Sequence, residues 1–336
     1  MLAPPPETAT PTPAGTAGAT ACPLCGATGH AVVGSCPTAE VFEALGRTLG
    51  AALSPAAVAE NTHASAVTLR RCLGCDLEYF VPLRAGTERF YAEIGACPAY
   101  YVAGRWEFDF VCAASGPTDS ILDVGAGSGH FLERCRAHGR KARGLDPSPV
   151  AVGSARARGL DVAAGDVASF AAANPDAFDV VTAFHVVEHI ERPVEFVAAL
   201  ARLCRPGGRV IVALPNRLSA HRPRGFIEGP LDCPPHHVSR WTAANLARLG
   251  QAAGLGCERV EAEHGPVIAR EALKLATRRF LGERLGLGDG TARAVSGLLG
   301  RVLVPRALHP VYRATGILER LGGVGLSMAA VYRKPG

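Results

Sequence analysis

Ile121-Leu122-Asp123-Val124-Gly125-Ala126-Gly127-Ser128-Gly129-His130 decides the fold of this chain. An apolar run containing one acid meets glycines at alternate positions, and a helix-like segment comes next. That order describes a β-strand turning tightly over a nucleotide-like cofactor, because glycine permits both the turn and a close backbone approach. The spacing is DxGxGxG rather than the GxGxxG of dinucleotide sites. A carboxylate inside the turn would repel a pyrophosphate, so it suits a ligand that carries positive charge.

Outward from this stretch the chain alternates strand and helix, the pattern of a parallel α/β sheet. Ser120–Val124 is the first strand and Gly129–His138 its helix. Lys141–Leu145 is the second strand, ending in Asp146, and Ser148–Arg158 is a helix. Asp161–Ala164 is a short third strand before Gly165-Asp166-Val167, and Phe178–Ala183 is the fourth. The helix Pro193–Cys204 stops at Arg205-Pro206-Gly207-Gly208, and Arg209–Leu214 is the fifth strand. Thr242–Ala253 is a helix, Cys257–Glu261 a sixth strand and Leu326–Tyr332 a well-separated last strand. Residues 265–322 read as an insertion, with helical stretches at Ala269–Leu281 and Ala292–Leu303.

Ligands of open parallel sheets sit beyond the carboxyl ends of the strands. That rule selects Asp123, Gly125, Ala126, Gly127 and Gly129 after the first strand. Asp146 and Pro147 follow the second, where an acid grips ribose hydroxyls, although Asp146 ahead of a proline also fits a helix cap. Asp166 and Val167 follow the third and suit an adenine amine and ring face. Phe184 and His185 follow the fourth.

With these segments the chain resembles the class I S-adenosylmethionine-dependent methyltransferases, in a subgroup similar to the ubiquinone-biosynthesis O-methyltransferases. The resemblance covers residues 120–262 and rests on the glycine turn, Gly144-Leu145-Asp146-Pro147-Ser148, Gly165-Asp166-Val167, Phe184-His185-Val186-Val187-Glu188-His189-Ile190, Leu203-Cys204-Arg205-Pro206-Gly207-Gly208 and Leu214-Pro215-Asn216. It implies a Rossmann-like seven-stranded sheet in the order 3-2-1-4-5-7-6 with the seventh strand antiparallel. It also implies S-adenosylmethionine as methyl donor, whose sulfonium and amino group supply the positive charge. Methyl transfer is then an in-line displacement in which the protein supplies alignment and desolvation.

Two polar clusters are candidates for the acceptor side. His185, Glu188 and His189 stand at i, i+3 and i+4, where one helical face would join them around a divalent ion. Catalysis without a metal, or a structural hydrogen-bonded junction, is the alternative. Relatives of the ubiquinone type carry Glu at the first position, and His185 departs from that pattern. The second cluster is Asp232-Cys233-Pro234-Pro235-His236-His237 in the long loop Asn216–Arg240. A neutral imidazole is the natural base for an acceptor proton near pH 7, so His236 or His237 fits that role. His221, Arg222 and Arg224 in the same loop suit an anionic group on the acceptor.

Ahead of the sheet lie Cys22-Pro23-Leu24-Cys25-Gly26 and Cys72-Leu73-Gly74-Cys75-Asp76. Two matched CxxC turns read as a four-thiolate site for structural Zn²⁺, closed to substrate. Iron uses the same pattern, but nothing else here asks for electron transfer. Cys36, His30 and His63 read as bystanders. The 46 residues between the pairs hold a helix at Ala39–Leu49. Residues 21–82 are therefore a zinc-binding module and residues 83–115 an aromatic helical lid or linker carrying Phe90, Tyr91, Tyr100, Tyr101, Trp106 and Phe108. Those rings form either an apolar seam or a lid over cofactor or substrate, Tyr101 being assigned to the cofactor.

Composition sets the outer limits. With 336 residues and 48% hydrophobic content, the chain exceeds the common single-domain size and buries a substantial core. Residues 1–20 are rich in Pro, Ala and Thr and read as a disordered leader without a secretion signal. Eleven cysteines in a chain of this size point to thiols rather than disulfides, hence to a cytoplasmic protein. The methyltransferase domain is then 116–264 with 323–336. The net charge of +5 is uneven, with 12 Lys/Arg against 4 Asp/Glu from Pro266 onward. A solvated helical face or an anionic partner explains it.

The favoured reading is methyl transfer to oxygen or nitrogen of a small biosynthetic acceptor of the secondary-metabolite kind. RNA or other nucleic-acid methylation is an alternative, disfavoured because Arg70 and Arg71 are the one close basic pair near the knuckles. A third reading is a catalytically inactive methyltransferase fold serving as a binding subunit, against which the complete glycine turn speaks. The 265–322 insertion suits either a homodimer interface or a cap over the pocket.

Overall fold

The computed structural model describes residues 21–50, 52–97, 100, 104–219, 225–227, 229–263, 277 and 325–336. The leader, Tyr101, the loop residues His221, Arg222 and Arg224, and nearly all of the 265–322 insertion lie outside these residues.

The amino-terminal part begins with β1 (His30–Pro37), α1 (Thr38–Leu49), α2 (Pro55–Asn61), β2 (Ala66–Cys72) and β3 (Glu78–Val81). Helix α1 buries Val41, Phe42, Ala44 and Leu45 along one stripe and stops at Gly50, whose φ of 69° is the left-handed end that glycine allows. Helix α2 starts on Ser54, whose side chain accepts the Ala57 amide, with proline in the first turn. Two further helices are α3 (Glu88–Gly95), capped by the Thr87 side chain, and α4 (Trp106–Ala114).

The main sheet is then laid down by β4 (Ser120–Val124), α5 (His130–Ala137), β5 (Lys141–Asp146), α6 (Pro149–Ala157), β6 (Val162–Ala164), α7 (Val167–Ala173), β7 (Phe178–Phe184), α8 (Pro193–Leu203) and β8 (Cys204–Pro215). After a two-residue β9 (Ser239–Arg240) come α9 (Ala243–Ala252), β10 (Gly256–Ala262) and β11 (Ser327–Arg333). Seven of these strands pair in the order β10-β11-β8-β7-β4-β5-β6. Strand β11 is antiparallel to both neighbours, whereas β8, β7, β4, β5 and β6 run parallel. This is the 3-2-1-4-5-7-6 sheet of the class I methyltransferase fold. Its central strands are apolar along their length because both faces are covered; Ile121, Leu122, Val180, Val181 and Val210 to Leu214 are all buried.

Strand β8 starts earlier than the sequence suggests. The Arg205-Pro206-Gly207-Gly208 segment is drawn into the strand, where Gly207 donates to Lys334 just past β11 and Lys334 donates to Gly208.

A second, antiparallel sheet has the order β1-β2-β3-β9. Its fourth strand comes from the loop after β8, with Glu78 opposite Arg240 and Tyr79 opposite Ser239. Leu77 and Tyr79 share one core with Trp241, Leu246 and Leu249 of the main sheet's layer. Residues 21–82 are thus joined to the methyltransferase domain through both a sheet and a core. Among the described residues, no helix is long and apolar enough to cross a membrane.

Candidate active site

The glycine turn leaves β4 with positive φ at Gly125 (79°), Gly127 (52°) and Gly129 (87°), a backbone region that L side chains rarely adopt. Space is short as well. A Cβ on Gly125 would stand 2.4 Å from Val186 Cγ2, and one on Gly129 2.5 Å from Leu160 Cδ1.

Asp146 fastens the turn to the end of β5. Its Oδ2 accepts the Gly127 amide at 2.7 Å and its Oδ1 the Ser148 amide at 2.8 Å. The cap of α6 is Ser148, whose side chain accepts the Ala151 amide, so Asp146 does not serve as that cap. Burial raises the Asp146 carboxyl pKa, against the pull of those amides. Asp123 is buried too, and accepts a hydrogen bond from Thr182 Oγ1 at 2.8 Å. Burial pushes its pKa up to about 8, opposed by the Thr182 hydrogen bond and helped by the nearby Asp146 charge. At the same turn the Ser128 hydroxyl is buried without a hydrogen-bond partner among the described residues. Two buried acids and an unpaired hydroxyl around a glycine cradle fit a cationic ligand bearing a ribose.

The remaining cofactor candidates are distributed unevenly. Ala126 is buried and donates its amide to Leu145, while Pro147 is exposed. Asp166 is exposed at the end of β6 and spends Oδ1 on the Ser169 amide, capping α7, with Val167 half-buried beside it. Its carboxyl is held low by that amide. The Phe184 ring packs between Phe108 and Phe131, at 5.2 and 4.8 Å, as a floor under the site.

Beyond β7 the structure departs from the helical face expected of His185, Glu188 and His189. Only Val187–His189 form a single 3-10 turn, and His185 stands before it with φ of 55°. That reversal sends His185 and His189 in different directions. His185 Nε2 lies 2.7 Å from Arg105 Nη1 and 3.2 Å from Glu107 Oε1, with Nδ1 3.5 Å from Glu188 Oε1. Burial and Arg105 oppose the imidazolium, but Glu107 and Glu188 raise its pKa. His189 turns the other way and joins the second cluster. Rings of His189 and His236 are 4.6 Å apart, those of His189 and His237 4.8 Å, and His236 stacks on His237 at 4.4 Å.

Fixed hydrogen bonds hold these three imidazoles. His189 Nδ1 meets the His236 carbonyl at 2.5 Å, His236 Nδ1 the Leu231 carbonyl at 2.7 Å, and His237 Nδ1 Asp232 Oδ1 at 2.9 Å. Burial lowers the pKa of all three, most strongly at His236, where the charges of His237 and His189 add to it. Glu188 is 1% exposed, and neither of its oxygens has a hydrogen-bond partner among the described residues. Burial opposes its charge, yet the surrounding histidines hold its pKa far below the usual carboxylate range.

Tyr91 and Tyr100 close the cluster from above. Tyr91 Oη donates to the His236 carbonyl at 3.2 Å and lies 3.1 Å from His189 Nδ1, while Tyr100 Oη lies 3.1 Å from His236 Nε2. In the aromatic segment Phe90 and Ile94 pack on Leu45 while the Tyr91 and Tyr100 hydroxyls reach the histidines. The aromatic concentration in the sequence pointed to Tyr91 and Tyr100. Arg105, Glu107 and Arg240 carried no such signal, because each acts through a contact to a distant segment. A tight recess without room for a water molecule lies beside Glu188 and His237, lined also by Arg217, Asp232 and Arg240.

The four knuckle cysteines meet at the edge of this region. Cys22 and Cys75 sulfurs are 3.6 Å apart and those of Cys25 and Cys72 3.5 Å. Each knuckle repeats the same turn: Gly26 donates to Cys22 with φ of 72°, and Asp76 donates to Cys72 with φ of 61°. Sulfurs at 2.3 Å from a tetrahedral ion stand about 3.8 Å apart, so the four thiols fit a zinc ion. Cys36, His30 and His63 are not part of this group among the described residues. Asn245 of α9 donates to the Cys75 carbonyl at 2.6 Å, docking the knuckles on the main domain.

The sheet order, the glycine turn and the strand-end acids define a class I methyltransferase fold, and the methyltransferase-domain family matches residues 100–276. The chain belongs to that family. Among curated proteins it is similar to the ubiquinone biosynthesis O-methyltransferase of Aeromonas salmonicida, 32% identical over 155 residues that make up 40% of this chain and 62% of that protein. The protein of the same name from Thiobacillus denitrificans is 35% identical over 150 residues, 41% of this chain and 65% of its own length. A probable S-adenosylmethionine-dependent methyltransferase of Mycolicibacterium smegmatis is 34% identical over 141 residues, 41% of this chain and 52% of that protein. The chain thus spans less than two thirds of the length of these relatives. Among solved structures, a SAM-dependent methyltransferase from Archaeoglobus fulgidus aligns with a TM-score of 0.44 at 18% identity, covering 68% of this chain and 94% of that one.

Proposed function

We propose that this protein transfers the methyl group of S-adenosylmethionine to an oxygen or nitrogen of a small biosynthetic acceptor. The observation that carries the reading is the glycine cradle, with Asp123 and Asp146 at adjacent strand ends and an imidazole cluster at the next end along the sheet. The bound donor supplies an electrophilic methyl group on a sulfonium. The chain's own residues do the rest. Asp146 orients the turn through the Gly127 amide and keeps lone pairs for ribose hydroxyls. Asp123 answers positive charge. The imidazoles of His189, His236 and His237, neutral by burial, stand on the acceptor side, where an O–H or N–H must lose its proton. Tyr91 and Tyr100 hold the imidazoles in place and keep water away.

Zinc on Cys22, Cys25, Cys72 and Cys75 is structural in this reading, since four thiolates leave no open coordination position. Screening small phenolic, alcoholic and amine acceptors with isotopically labelled methyl donor tests the activity. Label in a product, lost in a Gly125→Val variant, supports it. No labelled product from any acceptor class, in protein that binds the donor, points to a fold used for binding alone.

A further inference from the structure

We propose that His189, His236 and His237, with Glu188, hold a divalent transition-metal ion of the zinc or cobalt type, separate from the cysteine site. Its place beside the acceptor rests on the methyltransferase reading, but the ligand set stands on geometry. Each Nδ1 faces an oxygen: the carbonyls of His236 and Leu231 at 2.5 and 2.7 Å, and Asp232 Oδ1 at 2.9 Å. A carbonyl only accepts, so the proton sits on Nδ1 of His189 and of His236. The Asp232 carboxylate, paired through Oδ2 with Arg240 Nε at 3.2 Å, imposes the same tautomer on His237. All three lone pairs are then on Nε2, the arrangement in which a ligating histidine has its second nitrogen tied to a carbonyl or carboxylate.

Convergence supplies the second element. A nitrogen from each of the three rings lies within 4.8 Å of the others. Glu188 Oε1 is 3.9 Å from His237 Nε2, and the Val238 amide ties the histidine loop to the Glu188 carbonyl at 2.8 Å. Glu188 makes no close hydrogen bond, its nearest approach among the described ion pairs being His185 Nδ1 at 3.5 Å, and a buried carboxylate gains from a second cation beside it. Ligands at 2.0–2.1 Å from a tetrahedral ion stand about 3.4 Å apart, so binding draws the three rings closer together. The Tyr100 hydroxyl, which now meets His236 Nε2, yields that lone pair to the ion. Three imidazoles and one carboxylate select zinc, cobalt or nickel over magnesium or calcium. His185, committed to Arg105 and Glu107, is not a ligand.

The test is metal content of the full chain loaded with zinc and desalted, beside titration of S-adenosylhomocysteine on the same samples. Two zinc ions per chain are expected, falling to one in His236→Gln/His237→Gln and in Glu188→Gln, with far-ultraviolet dichroism unchanged. In cobalt-loaded protein the thiolate charge-transfer bands persist in those variants while the weaker imidazole-type bands vanish. One zinc per wild-type chain, or two in a folded double variant, overturns the proposal. If S-adenosylhomocysteine binds while only one zinc is held, the ion fails and the methyltransferase reading stands. A second zinc without cofactor affinity means the reverse: the ion site stands and the methyltransferase reading fails.

Discussion

Asp123 and Gly125 show how much one residue decides. Asp123 takes up a proton on folding, because its pKa rises from 3.8 to about 8. The folded chain therefore binds the extra proton between those values, and this group's contribution to stability falls as pH rises through that window. Ligand binding has the opposite sense. The ligand's ammonium group needs the carboxylate, so affinity for S-adenosylhomocysteine, which keeps that group without the sulfonium, rises with pH up to about 8, by at most about tenfold per unit, and then levels. Calorimetry from pH 6 to 9 checks this, with Asp123→Asn giving a flat profile; equal slopes in both proteins would remove Asp123 from the site. Gly125 carries the steric side. Alanine there meets both the φ of 79° and the 2.4 Å approach of Val186. A cost of about 1–3 kcal/mol is expected, read as a lower melting temperature and at least about tenfold weaker cofactor binding.

Elements place such residues, and here legibility in the sequence divides. The strands of the main sheet and the acids at their ends were readable because parallel strands buried on both faces are apolar runs and their turns carry glycine. The histidine constellation was not. His189 and His236 are 47 positions apart, and the φ of 55° at His185 breaks the expected helical face, which no periodicity announces. Strand β9 escaped for a similar reason: two residues pairing with β3 leave no pattern. Helix α3 is the element that carries Tyr91 to the histidines. Tyr91→Phe removes a hydrogen bond worth about 0.5–1.5 kcal/mol, so methyl transfer slows about 3–10-fold while cofactor affinity holds. An equal loss in affinity would mean that α3 acts on the whole fold rather than on the histidines.

At the scale of the molecule, β9 from the segment after β8 completes the amino-terminal sheet, and the cysteine knuckles share one apolar core with the main sheet's layer. Loss of a metal ion held by the knuckles would therefore be felt throughout. Cys72→Ser is expected to lower the melting temperature by about 5–10 °C and to keep one cooperative calorimetric transition. Two separate transitions would show that residues 21–82 fold independently of the sheet.

The central claim is that the glycine cradle binds S-adenosylmethionine. Calorimetric titration of the zinc-loaded full chain with S-adenosylhomocysteine tests it most directly. One equivalent bound with micromolar affinity, lost in Gly125→Val, is the predicted result. Folded, zinc-loaded protein that binds neither S-adenosylhomocysteine nor S-adenosylmethionine would contradict it.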